Sequence, residues 1–166
     1  DPIRQELLDA FVRVLESHAF ILGPDIAALE QRVALYCGVR FGIGVSCPAD
    51  MRRLLAQIAR GTLLDGETST AILSLLRKQQ DGTMAARYLP IGADSTLTIG
   101  NKTGSLDQVK NDVGIVTGNQ VRYVYAIFCD GSREEGEGVD NAATLAVARV
   151  SRLLFDHFRR QEAKAR

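Results

Sequence analysis

Lys102, Thr103 and Gly104 stand together at the end of a β-rich run, Thr96-Leu97-Thr98-Ile99-Gly100-Asn101. A lysine supplies an ammonium point charge, a threonine a hydroxyl donor, and a glycine lets a ligand come close to the backbone. On one strand edge the three residues make a cradle for a substrate carboxylate beside a reactive carbonyl, with Ser105 as a further hydrogen-bonding group. The plain alternative is a solvated lysine at a strand end with Gly104 beginning a turn. Other candidates offer less. Cys37, Cys47 and Cys129 are odd in number and widely spaced, which argues for buried thiols and against a disulfide framework or a zinc site. His18 and His157 fall in helical patterns without ligand-like partners. Glu134, Glu135 and Glu137 read as a solvated loop, and Asn111-Asp112 as a turn before the next strand.

The 166 residues suffice for one domain with a core, or for two small pieces of larger ones. Twenty Lys and Arg balance twenty Asp and Glu, so there is no electrostatic footprint for nucleic acid or an anionic membrane. The basic tail, Arg159-Arg160 through Lys164 and Arg166, reads as cations at a helix C-terminus. No apolar run approaches a membrane span and no signal-peptide pattern opens the chain; Asp1 in place of Met leaves room for an upstream segment.

The elements that must position the cradle follow from periodicity. Ile3, Leu7, Phe11 and Val14 recur at helical spacing, predicting a helix over residues 2–17. Gly23-Pro24 opens a second helix with a buried face of Ile26, Leu29, Val33 and Tyr36, stopped by Gly38. Phe41, Ile43 and Val45 alternate as a short strand, and Ser46 or Cys47 caps a helix starting at Pro48 and ending at Gly61. Its stripe is Met51, Leu54, Leu55 and Ile58. Asp65 caps a fourth helix running to about Gln80. Strands are expected near 95–103, 111–117 and 121–129, with a tight hairpin at Gly118-Asn119. The last strand is apolar on both faces, so layers must cover both sides of the sheet. A closing helix with Val147, Val150, Leu154 and Phe158 can cover one of them. The fold class is α+β: a three-stranded antiparallel sheet packed by helices, with an N-terminal helical extension.

From Pro48 to Gln161 the chain resembles the C-terminal part of class A β-lactamases and related serine hydrolases. The resemblance rests on Pro48-Ala49-Asp50-Met51-Arg52-Arg53-Leu54-Leu55, on Tyr88-Leu89-Pro90, on Asn101-Lys102-Thr103-Gly104-Ser105, on Asn111-Asp112-Val113-Gly114-Ile115-Val116, and on the closing helix. From Pro2 to about Ser46 it resembles the opening of PLP-dependent sugar aminotransferases of the DegT/DnrJ/EryC/StrS type, through Phe20-Ile21-Leu22-Gly23-Pro24, Leu29-Glu30 and the run Tyr36 to Ser46. The expected division is therefore 1–46, an aminotransferase-like fragment, and 47–166, a β-lactamase-like region. Such a chain looks like a fusion of two pieces.

The first resemblance implies β-lactam hydrolysis through an acyl-serine, with Lys102 in an electrostatic role and Thr103, Gly104 and Ser105 binding substrate. It also implies a nucleophile on Ser-x-x-Lys and a Ser-Asp-Asn loop, and neither occurs in these 166 residues. Ser74-Leu75-Leu76-Arg77 has the spacing, but Arg cannot lose its proton to act as a base. The expectation is a β-lactamase-like chain that is catalytically incomplete as it stands. It would take a small β-lactam-like substrate if any, and no cofactor, metal, nucleic acid or membrane. Self-association through an open sheet edge is a further expectation. The alternatives are a non-enzymatic fusion fragment or interaction module, and an aminotransferase fragment. The latter finds Pro48-Ala49-Asp50 where its family holds the cofactor phosphate, and no lysine before Lys78. Relatives of the hydrolase type are usually periplasmic or secreted.

Overall fold

A computed structural model describes residues 2–18, 23–38, 40 and 47–164. The chain forms two compact units, Asp1–Cys47 and Pro48–Arg166. In the first unit α1 spans Pro2–Ser17 and α2 spans Pro24–Tyr36. Proline at the first turn of α2 gives up an N–H that had no helical acceptor, and Gly38 (φ +66°) leaves the helix through a backbone conformation that glycine adopts freely. The apolar stripes do not behave as expected. Ile3, Leu7 and Phe11 are 62–67% exposed and Leu29, Val33 and Tyr36 are 46–93% exposed, while Ala34 is the buried residue of α2. A stripe is buried only where a partner surface meets it. Among the described residues of this unit the only regular elements are two helices, each of which leaves most of its large apolar side chains in solvent, with Val14 and Ile26 half-buried. The expected strand at 41–45 and the Ser46 cap lie outside the described residues.

The second unit holds α3 (Pro48–Arg60), α4 (Gly66–Leu76), β1 (Thr98–Leu106), β2 (Val109–Gly118), β3 (Val121–Cys129) and α5 (Ala142–Lys164). The strands form one antiparallel sheet in the order β1-β2-β3. Period-2 alternation splits the sheet residues between two cores. On one face Leu97, Val116, Val121, Tyr123 and Tyr125 pack with Phe155 of α5, and Tyr123 stacks on Phe158 at 4.8 Å. On the other Val113 and Ile115 pack with Leu55 and Ile58 of α3, joined by Ile72, Leu73 and Leu76 of α4. Both faces of β3 are thus covered, as its sequence requires. Each fully buried Ile, Val or Phe here contributes on the order of 1.5–3 kcal/mol.

Local signals account for most boundaries. The Asp65 carboxylate accepts from the Thr68 N–H at 2.7 Å and so caps α4. That hydrogen bond also holds Asp65 below the usual carboxylate range. Glu134, in the exposed acidic loop, accepts from the Ala142 N–H at 2.8 Å at the start of α5. Five expectations need correction. Helix α4 stops at Leu76: the Arg77, Lys78 and Gln79 N–H groups still reach the carbonyls of Leu73, Leu75 and Leu76, and the Gln79 side chain then takes up those of Gln80 and Asp81 in place of further helical turns. Gly104 lies inside β1, paired with Asn111, and does not begin a turn. Asn111-Asp112 is no turn either: both residues sit in β2, and the turn is at Asp107-Gln108. Val150 is 42% exposed, and the inner stripe of α5 runs through Thr144, Val147, Ser151 and Phe155. The cysteines are not buried: Cys37 is exposed and Cys47 and Cys129 are half-buried.

Candidate carboxylate-binding edge

Strand β1 is an outer strand of the sheet, and Lys102, Thr103, Gly104 and Ser105 occupy its second half, opposite Val113, Asp112, Asn111 and Lys110. Lys102, Gly104 and Ser105 are exposed and Thr103 is half-buried. Alternation puts Thr103 and Ser105 on the face of Asn101, and Lys102 and Gly104 on the opposite face. The four residues therefore straddle the strand edge and do not line one pocket. The surface hollow lined by Ala56, Ala59, Arg60, Arg122, Tyr123 and Val124 lies between α3 and β3 and contains none of them. A side chain added at Gly104 would meet nothing within 4 Å, so there is open room above it for a ligand.

Two features hold the edge in place. Gly100 lets α4 approach β1: an added Cβ would lie 3.2–3.3 Å from Leu73, Leu76 and Arg77. The segment after α4 then crosses toward Thr103. Gln79 Nε2 reaches Thr103 Oγ1 at 3.4 Å, and Asp81 Oδ1 accepts from the Thr83 N–H and hydroxyl at 2.9 and 2.6 Å. Burial pushes the Asp81 carboxyl up, but hydrogen bonds from Thr83 and Thr103 and the charge of Lys102 more than offset this and hold it below its ordinary value. The Lys102 ammonium donates to the Thr103 carbonyl.

Beneath the edge lies a buried network that the sequence reading did not find. Asp112, fully buried, accepts from Asn101 Nδ2 at 3.0 and 3.1 Å, from the Tyr125 hydroxyl at 2.9 Å, and from the Ala85 N–H at 3.0 Å. Burial raises its carboxyl to about 6 against the opposing effect of these hydrogen bonds. Burial, followed by the Asp112 charge, also raises the Tyr125 hydroxyl. The carboxylate thereby ties all three strands and the 84–85 segment together directly behind Lys102 and Thr103. Lys110 is buried as well, with its ammonium on the Leu106 carbonyl at 2.9 Å. The available signal was the strand period of two, which puts Lys110 and Asp112 on one face with Gly114 and Val116, all four buried.

The other sequence candidates stay apart from this edge. Ser74 is exposed on α4, and Arg77 is the residue that ends that helix. His18 follows α1 with its ring on the Leu15 carbonyl at 2.7 Å, and His157 packs edge-on against Phe158. Among the described residues no three His, Cys, Asp or Glu side chains gather to hold a metal ion, and no helix is long and apolar enough to cross a membrane.

Known proteins share this fold. A β-lactamase from Sphaerobacter thermophilus is 29% identical with a TM-score of 0.59, over 66% of this chain and 39% of its own. PBP-A is 25% identical with a TM-score of 0.59, over 72% and 42%. A β-lactamase from Chitinophaga pinensis shares the fold at 20% identity and a TM-score of 0.58, over 80% and 55%. The chain thus spans only about two fifths of the first two structures. A different similarity is to a dTDP-3-amino-3,6-dideoxy-alpha-D-galactopyranose transaminase of Aneurinibacillus thermoaerophilus, 33% identical over 82 residues, which are 48% of this chain and 23% of that enzyme. The family model described as the Beta-lactamase enzyme family matches residues 23–158, most of the chain and the whole of the sheet that carries Lys102. By that match and by its fold, the chain belongs to the β-lactamase enzyme family.

Proposed function

We propose that residues 102–105 are the carboxylate-binding edge of a β-lactamase-like site, and that these 166 residues by themselves do not complete an acyl-transfer machine. Lys102 supplies the charge for a substrate carboxylate, Thr103 and Ser105 supply hydrogen bonds, and Gly104 leaves room for approach. The observation that carries this reading is the Lys102-Thr103-Gly104 segment, with Lys102 and Gly104 exposed, on an outer strand of a family member whose sequence has neither Ser-x-x-Lys nor Ser-Asp-Asn. Loss of one oxyanion donor typically costs about 10²–10³ in rate. Loss of the nucleophile removes the acyl-enzyme route altogether. A mutant of PBP-A, similar to this chain at 25% identity, is known as an acyl-enzyme with penicillin G, which makes that compound the natural probe. The chain incubated with penicillin G is expected to keep its unmodified mass in intact-protein mass spectrometry. A mass increase equal to the opened drug would overturn the incomplete-site reading.

A second reading, an interaction module, is favoured by β3. The strand Val121-Arg122-Tyr123-Val124-Tyr125-Ala126-Ile127-Phe128-Cys129 is paired only with β2 among the described residues, and Arg122 is its one charged residue. A nine-residue edge with a single charge invites another strand. Sedimentation at rising concentration is expected to show reversible association that Ala126→Pro, which blocks edge pairing, weakens. A concentration-independent monomer would remove this reading.

A further inference from the structure

The interior grips the carboxylate-binding edge from one end. Along β1 only Gly100 and Asn101 are buried, whereas Lys102, Gly104 and Ser105 are exposed and Thr103 is half-buried. Among the described residues β1 pairs with β2 alone, so its other side has no ladder. Gln79 Nε2 reaches the Thr103 hydroxyl only at 3.4 Å, a weak tether. Asn101 is therefore the last buried side chain before the edge begins. Its register partner is Gly114, while Asp112, which it bonds, is the register partner of Thr103. The Asn101 side chain thus runs diagonally from its own row to the next, behind Lys102 and Thr103. Its Nδ2 donates to both Asp112 oxygens, at 3.0 and 3.1 Å. Glycine at 114 leaves the space that this path needs, since a Cβ there would lie 2.8 Å from Asn101 Cβ. The far end of the diagonal is fixed independently: the Tyr125 hydroxyl and the Ala85 N–H donate to the same carboxylate at 2.9 and 3.0 Å. Successive strand side chains point to opposite faces, so pinning Asn101 on one face directs Lys102 to the other. We infer that Asn101 is the positioning residue of this edge: its diagonal brace to Asp112 sets where Lys102 and Thr103 stand. This rests on the proposed role of residues 102–105.

Removing the brace should loosen the edge and leave the rest of the sheet in place. Asn101→Ala takes away the donor and keeps the Cβ that packs over Gly114. In the isotope-labelled full chain without ligand, the amide signals of residues 102–105 are expected to move in Asn101→Ala, while those of Val121 to Val124 in β3 stay where they are. Penicillin G, titrated into the same chain, is expected to bind Asn101→Ala about tenfold more weakly than wild type, matching the loss of one hydrogen bond to a charged group. Asn101→Ser, whose hydroxyl is too short to span the diagonal, should behave alike and is the variant to titrate if Asn101→Ala does not fold. Ser151→Ala is the control for a merely structural role. It removes a buried hydrogen bond outside the brace, from Ser151 Oγ to the Ala85 carbonyl at 2.9 Å. It should lower the urea midpoint as Asn101→Ala does and yet bind penicillin G as wild type does. Wild-type affinity in a folded Asn101 variant, or an equal loss in Ser151→Ala, overturns the inference; if Lys102→Ala still abolishes wild-type binding, the edge assignment stands. Absence of binding in wild type overturns both.

Discussion

Asp112→Ala is expected to lower the stability of the Pro48–Arg166 unit by about 3 kcal/mol at pH 7 and by about 5–6 kcal/mol near pH 4. The substitution takes the acceptor from three donor groups in the buried interior, Asn101 Nδ2, the Ala85 N–H and the Tyr125 hydroxyl. A buried donor left without a partner costs about 1–3 kcal/mol. At neutral pH part of that loss is offset, because wild type must keep a charged carboxylate out of water. The Asp112 carboxyl is raised from 3.8 to about 6 in the folded chain. Between those values the folded state holds a proton that the unfolded state has released, so the group's contribution is fullest below 3.8. It falls as pH rises to about 6, by about 3 kcal/mol in all. Asp112→Asn carries no titrating proton and is expected to lose this slope. Urea unfolding of the full chain at pH 4, 5, 6 and 7, followed through the tyrosine signal, measures both effects. An unchanged pH profile in Asp112→Asn would show that Asp112 does not carry this dependence.

The same network explains what the sequence could and could not tell. Periodicity located α1 to α5 and the three strands, because an amphipathic stripe or an alternating run reports which residues share a face. Asp65 and the Gly118-Asn119 hairpin were legible because a cap and a tight turn are local chemistry. Lys102-Thr103-Gly104 was legible as a motif. Asn111-Asp112 misled, since the pair has the composition of a turn, and only the register with Phe128 and Ile127 shows it to be strand. Asp81 was silent for a related reason. It is an ordinary polar residue after a helix until the close packing of α4 on Gly100 brings the 79–83 segment to Thr103. The exposed stripes of α1 and α2 mark the other limit of such reasoning. Helical spacing predicts which residues share a face, whereas burial needs a partner surface that the pattern does not name.

Gly114→Ala is the second change expected to have a large effect, about 3 kcal/mol or more of lost stability together with disruption of the candidate edge. Gly114 pairs with Asn101 on one side and Tyr125 on the other, at the centre of the sheet. A methyl group there would lie 2.7 Å from the Tyr125 hydroxyl oxygen, 2.8 Å from Asn101 Cβ and 2.8 Å from the Gly100 carbonyl oxygen. Two of these neighbours are partners of Asp112, and the third is backbone that cannot swing aside. Any relief must therefore either push Tyr125 and Asn101 off the carboxylate or spread β1 from β2. Both responses are costly, since one orphans buried polar groups and the other breaks ladder hydrogen bonds. Gly104→Ala is the matched control: the same change two strand positions beyond Lys102 meets nothing within 4 Å, and its stability should stay within about 0.5 kcal/mol of wild type. Urea midpoints for the two variants, with the amide signals of Lys102 and Thr103 as a local readout, separate the outcomes. A Gly114→Ala chain as stable as Gly104→Ala would mean that the Asp112 network does not require this close approach of the strands.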